Sequence, residues 1–284
     1  MNRLSCSMTL AAGAVAFAIF FPSLAVAQPT ISAHRAVYDL DLKRKKEGST
    51  IVGAKGRMVF ELAGSVCDGW TVNFRMVNQY QNAERPARLV DSRSSSYESG
   101  DGLSMRYSRS EFDDNRMIEE QRLSAVRKPD GGGGSGKVEA PKPEEFTLPE
   151  GTIFAMQHQL RIMQAALDGK SRDASIVFDG GDGAKTYRTV TFIGPKKEAG
   201  TVVPTLATGD AAVLTKHPFW PMTLSYFSNG AVDAKGDNPD TPTYQVSFEM
   251  YGNGVADRLV LDYGDFALDG KLVNFELIDQ PECK

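Results

Sequence analysis

Apolar residues recur at every second position through much of this chain, and that period leaves it few folds. In Trp70-Thr71-Val72-Asn73-Phe74-Arg75-Met76 the even positions are apolar and the odd ones polar, the signature of a strand that buries one face. Tyr38, Leu40 and Leu42 alternate with Asp39 and Asp41. Near the C-terminus, Leu259, Leu261 and Tyr263 alternate with Arg258 and Asp262, and Val273, Phe275 and Leu277 with Asn274 and Glu276. Asp101-Gly102, Asn229-Gly230, Asn253-Gly254 and Asp269-Gly270 are pairs that accept the positive φ of tight hairpin turns. Strands joined in sequence by such turns form a mainly-β antiparallel meander, because parallel crossovers need helices that are scarce here.

One segment departs from the period. Ile153, Met156, Leu160, Met163 and Leu167 fall three and four apart, which predicts one main amphipathic helix over 152–167, with Thr152 as N-cap and Gly169 as stop. So apolar a helix must pack on something, and the inner face of a sheet is the expected partner. Residues 128–149 read as a flexible Gly/Pro-rich internal loop, with four consecutive glycines followed by prolines and acidic residues. Within it, Gly131 to Lys137 imitates a phosphate-binding loop, but Val138 stands where Ser or Thr would hold magnesium, and prolines flank it in place of a strand and a helix.

The N-terminus carries a basic Arg3, an apolar stretch from Met8 to Phe21 and the small-residue triplet Ala25-Val26-Ala27, so residues 1–27 are expected to be a secretory signal cleaved after Ala27. The apolar stretch is shorter than the ~20 residues that span a bilayer, so the mature protein is expected to be periplasmic and not membrane-spanning. Of the three cysteines, Cys6 leaves with the signal. Cys67 and Cys283 remain in an oxidising compartment and are expected to pair. A redox-active pair would instead sit in a Cys-x-x-Cys motif, which is absent. Residues 28–284 are thus expected to form one domain, its two halves joined by the bridge. With 36 acidic against 32 basic residues and a net charge of −4, nothing marks a nucleic-acid partner.

Motifs that carry chemistry are lacking. The three histidines, His34, His158 and His217, are far apart and show no metal-ligand spacing. There is no Gly-x-Ser-x-Gly elbow. Asp179-Gly180-Gly181-Asp182-Gly183 has the composition of a calcium loop without its alternating ligands, and reads as a turn. No catalytic residue, cofactor or metal is assigned, and an enzyme, such as an envelope-directed hydrolase, ranks last among the functions considered. The run His217-Pro218-Phe219-Trp220-Pro221-Met222 supports two readings. It is either a corner of the core or the lip of an apolar groove, in which His217, Phe219, Trp220 and Met222 would contact an amphipathic ligand.

Tyr251-Gly252-Asn253-Gly254-Val255, Leu261-Asp262-Tyr263-Gly264-Asp265-Phe266, Phe219-Trp220-Pro221 and the two cysteines resemble the EipB family of periplasmic cell-envelope integrity proteins. The resemblance covers essentially the whole mature chain. It implies a single curved β-spiral similar to the lipoprotein carriers LolA and LolB, with paired cysteines matching Cys67 and Cys283 and no catalytic residues. Two non-enzymatic functions then present themselves. One is binding of an amphipathic ligand, such as a lipid, a lipoprotein chain or a protein segment, on the curved sheet. The other is an adaptor that binds periplasmic proteins through its sheet edges.

Overall fold

The computed structural model describes residues 29–201, 204, 208–229, 240–280 and 283. The expected signal at 1–27 lies outside them, as does Gly230 of the expected Asn229-Gly230 turn. The first half is an unbroken antiparallel meander of β1 (His34–Lys45), β2 (Ile51–Ser65), β3 (Gly69–Asn82), β4 (Arg88–Glu98), β5 (Ser104–Asp113), β6 (Arg116–Arg127), β7 (Gly134–Ala140) and β8 (Glu144–Leu148). A short β9 (Thr152–Phe154) leads into α1 (Ala155–Leu167). Then follow β10 (Arg172–Phe178), β11 (Tyr187–Ile193), β12 (Thr208–Gly209) and α2 (Ala211–Leu214). The chain finishes with β13 (Phe219–Ser228), β14 (Tyr244–Tyr251), β15 (Ala256–Asp262) and β16 (Phe266–Leu277).

All these strands belong to one sheet, in the order β8-β7-β6-β5-β4-β3-β2-β1-β16-β15-β14-β13-β11-β10-β9, with β12 beside β16. The first strand therefore pairs with the last, and the chain's two halves extend from that seam. The sheet curls until its ends face each other, giving a nearly closed, barrel-like wall. Met105, Leu123, Val138 and Leu148 from one end share an apolar cluster with Phe154 and Phe178 from the other. The Gln121 side-chain amide also donates across this junction to the Gly180 carbonyl at 2.8 Å.

The period of two sets what faces inward. Phe74 and Met76 of β3 stand opposite Phe60 and Met58 of β2, and Tyr38 of β1 stands opposite Met58 on its other side. Leu40, Leu268 and Leu272 are fully enclosed at the seam, each contributing about 2 kcal/mol from burial. Asp269-Gly270, expected to turn, lies in the middle of β16. A Cβ on Gly270 would come within 2.9 Å of Leu259 Cβ and 3.2 Å of Leu40 Cδ2, so the glycine is there for close packing. Val273 is skipped by a bulge that leaves Val37 opposite Asn274 and Tyr38 opposite Leu272.

Two further expectations are corrected. Residues 128–149 are not a loop throughout, because β7 and β8 form a hairpin there that extends the sheet. The inward positions of β7 are Gly134, Gly136, Val138 and Ala140, so glycines hide half of the alternation. A Cβ on Gly136 would come within 2.1 Å of the Phe146 ring, which lies over that backbone. Helix α1 begins at Ala155, not beside Thr152, which sits in β9 and donates its hydroxyl to the Pro149 carbonyl at 2.7 Å. Gly169, at φ +72°, follows the helix end as expected. Cys67 and Cys283 are bonded, with Cα atoms 5.7 Å apart and a sequence separation of 216. They lie at one end of the barrel, beyond β2 and β16, the two neighbours of β1. Among the described residues, no helix is long and apolar enough to cross a membrane.

Candidate functional site

Helix α1 lies inside the curve of the sheet. Met156, Ile162, Met163 and Ala166 pack against Leu62 and Trp70 on one side and Trp220, Met222 and Met250 on the other. Its N-terminus has no side-chain cap of its own, since Phe154 occupies that position. Glu98, at the end of β4, supplies the cap. The Met156 amide donates to both of its carboxylate oxygens at 3.0 Å, and the Ala155 and Gln157 amides also bond to it. Burial raises the Glu98 carboxyl to about 7, and the helix amides and nearby Arg127 only partly oppose it.

The helix does not fill the interior. Between it and the wall of β1, β2, β13, β14 and β15 is a cavity of about 310 Å³, near the lower end of the range of small-molecule pockets. Its lining is chiefly apolar and includes Met58, Phe60, Ile162, Leu224, Phe248 and Leu259. Cross-strand pairing builds the β13–β14 wall in layers, from Tyr226 opposite Tyr244, through Leu224 opposite Val246 and Met222 opposite Phe248, to Trp220 opposite Met250. The polar groups on the lining are restrained. Tyr38 donates its hydroxyl to the Ala256 carbonyl at 2.7 Å, and His34 Nδ1 donates to the Ser32 carbonyl at 2.7 Å. His158 Nε2 is 3.4 Å from the Thr189 hydroxyl.

The histidines and phenols on the lining are uncharged at neutral pH. Burial lowers His34 and brings His158 down to about 4, so both imidazoles remain neutral. Burial also raises the phenols of Tyr38 and Tyr226, and it raises the Asp179 carboxyl although the Gly181 amide donates to it. Neither histidine therefore presents a charge that apolar matter entering the cavity would have to desolvate.

The residues proposed from the sequence for ligand contact do not line this cavity. Phe219 and Trp220 are consecutive in β13 and so point to opposite faces of the sheet, and both faces are covered. Trp220 and Met222 pack under α1, while Phe219 meets the Tyr251 ring at 5.4 Å and shares a cluster with Leu214. His217 is half-buried in the turn before β13. Phe219, Trp220 and Met222 are thus buried in the packed core. The cavity residues come from seven separate elements, and the only trace of them in the sequence is their parity: Leu224 and Tyr226 continue the inward face of Trp220 and Met222.

Comparison with known proteins gives a consistent assignment. The EipB-like family model matches residues 25–279. The chain is 34% identical over 252 residues to the cell envelope integrity protein EipB of Brucella abortus strain 2308, covering 88% of this chain and 86% of that protein. A crystal structure of a β-barrel-like protein of a domain of unknown function, also from Brucella abortus, superposes with a TM-score of 0.78 at 31% identity. That alignment covers 88% of this chain and all of the other. With the family model spanning residues 25–279 and a relative 34% identical across most of both lengths, the chain belongs to the EipB-like family.

Proposed function

We propose that this protein is a non-enzymatic, periplasmic factor of cell-envelope integrity, and that it acts by holding the apolar part of an amphipathic ligand inside its curled sheet. The observation that carries the reading is the cavity of about 310 Å³ left beside α1, with its apolar lining and two neutral histidines. The name of the Brucella abortus relative supports the cellular role, and the secretory features of residues 1–27 support the compartment. The test is titration of the purified protein with a fluorescent fatty-acid probe, in parallel with Val246→Trp, which places an indole in the cavity. Saturable binding at one site, weakened about tenfold or more by the variant, is expected. A wild-type protein that binds no probe would defeat the reading.

A second reading, the adaptor, has its own observation. Among the described residues β8 pairs only with β7, so its other edge can accept a strand. Crosslinking in cells separates the two functions, since an adaptor gives discrete protein adducts through residues 144–148.

A further inference from the structure

The inner cavity adjoins a second chamber. Asp179 and Tyr226 line both, and the outer space, about 620 Å³, is bounded further by Tyr187, Tyr244, Tyr263 and Ser228. It lies at the end of the barrel where β13 hands over to β14 and β15 to β16. The tyrosines belong to a continuous run of rings. Tyr187 meets Tyr226 at 6.0 Å, Tyr226 meets Tyr244 at 5.9 Å, and Tyr244 meets Tyr263 at 5.0 Å. Tyr263 meets Phe266 at 5.0 Å, and Phe266 meets Tyr80 at 5.8 Å. Apolar contact therefore gives way, along one wall, to aromatic faces that carry hydroxyls.

The cations around this chamber are already matched within the protein. Arg109 is bonded to Glu111 and lies 3.7 Å from Glu119, while Lys185 lies 2.9 Å from Asp182, which also accepts from the Tyr187 hydroxyl at 2.9 Å. A phosphate or sulfate would have to compete with carboxylates for each cation, and a cationic head group would have to displace Lys185 from Asp182 or reach Asp179, which is buried and already accepts from the Gly181 amide at 2.9 Å. An uncharged ring bearing hydroxyls meets neither obstacle: its C–H faces can lie on the tyrosine rings, and its hydroxyls can exchange hydrogen bonds with phenols, Ser228 and Thr243.

We propose that the outer chamber is the head-group subsite for the ligand whose apolar part occupies the inner cavity, and that the head group is an uncharged sugar, making the ligand a neutral glycolipid. This assignment deepens the amphipathic-ligand reading and rests on it. The test is displacement of the fluorescent fatty-acid probe by octyl glucoside and by octyl sulfate, each below its micelle concentration, so that only the head group differs. The wild type is expected to prefer the glucoside about tenfold or more. Ser228→Trp, which fills the outer chamber, and Tyr187→Ala, which removes one ring, should each cut that preference to about threefold or less, with saturable probe binding retained as the sign that the inner cavity is intact. Tyr187→Ala supplies the readout should Ser228→Trp fail to fold. Equal or better displacement by octyl sulfate, or a sugar preference that survives in the folded variants, overturns the head-group assignment and leaves the apolar cavity standing. Absence of probe binding in the wild type overturns both.

Discussion

Glu98 is the residue on which the seating of α1 depends most. It is 1% exposed, it reaches the helix N-terminus from the sheet wall, and burial holds its carboxyl at about 7. A carboxyl raised above its ordinary value binds its proton more tightly in the folded state. Its contribution to stability is therefore full below about 4.5 and is lost as the pH rises through about 7. His34 and His158, both lowered, act in the opposite sense: their contribution is present above 6.5 and fades as the pH falls. The difference between wild type and Glu98→Gln cancels the histidines. Denaturant unfolding from pH 5 to pH 8 should show the wild type losing on the order of 1–3 kcal/mol relative to the variant, and parallel curves would refute the assignment. Glu98→Ala, which leaves the helix amides without an acceptor, should cost about 2 kcal/mol at pH 6. In the sequence nothing distinguishes this glutamate from the polar residues around it, because its role exists only once β4 and α1 meet.

At the level of elements, legibility followed the alternation. β1, β3 and β15 could be read directly over 38–42, 70–76 and 259–261, where the inward positions are large apolar residues. β7 could not, because Gly134 and Gly136 occupy inward positions and Phe146 of β8 supplies the missing bulk. The Asp269-Gly270 pair misled for a related reason: a glycine needed for contact with Leu40 and Leu259 carries the same letters as a glycine needed for a turn. The onset of α1 was misplaced because Thr152 suits an N-cap by type, whereas β9 takes it into the sheet and Glu98 provides the cap from a distance. The hairpin leads to an expected outcome in hydrogen exchange. Amides of 134–140 that pair with β6 and β8 should be protected well beyond those of the turn at 128–133. Exchange over 134–148 as fast as in an unstructured peptide would return that segment to a loop.

For the whole molecule, the order of strands makes the disulfide a staple across the seam. β1 lies between β2 and β16, and the bridge from Cys67 to Cys283 crosses the end of β1 to join the two. Closing a separation of 216 residues removes roughly 5 kcal/mol of unfolded-chain entropy as an upper figure, so Cys67→Ser should lower the melting temperature by several degrees. Reduction should do the same to the wild type and nothing to the variant, and an unchanged wild-type melting curve would show that the bridge contributes little. The pairing and the many-stranded β class were legible from cysteine count and period, but the interior was not. It depends on how far the sheet curls and on how much space α1 leaves, both set by packing between distant segments. The central claim concerns that space, and native mass spectrometry of protein purified from cell envelopes without detergent addresses it most directly. The account predicts a stoichiometric, lipid-sized adduct on the wild type that is lost in Val246→Trp; a wild type carrying no adduct, or an adduct retained unchanged by the filled variant, would contradict it.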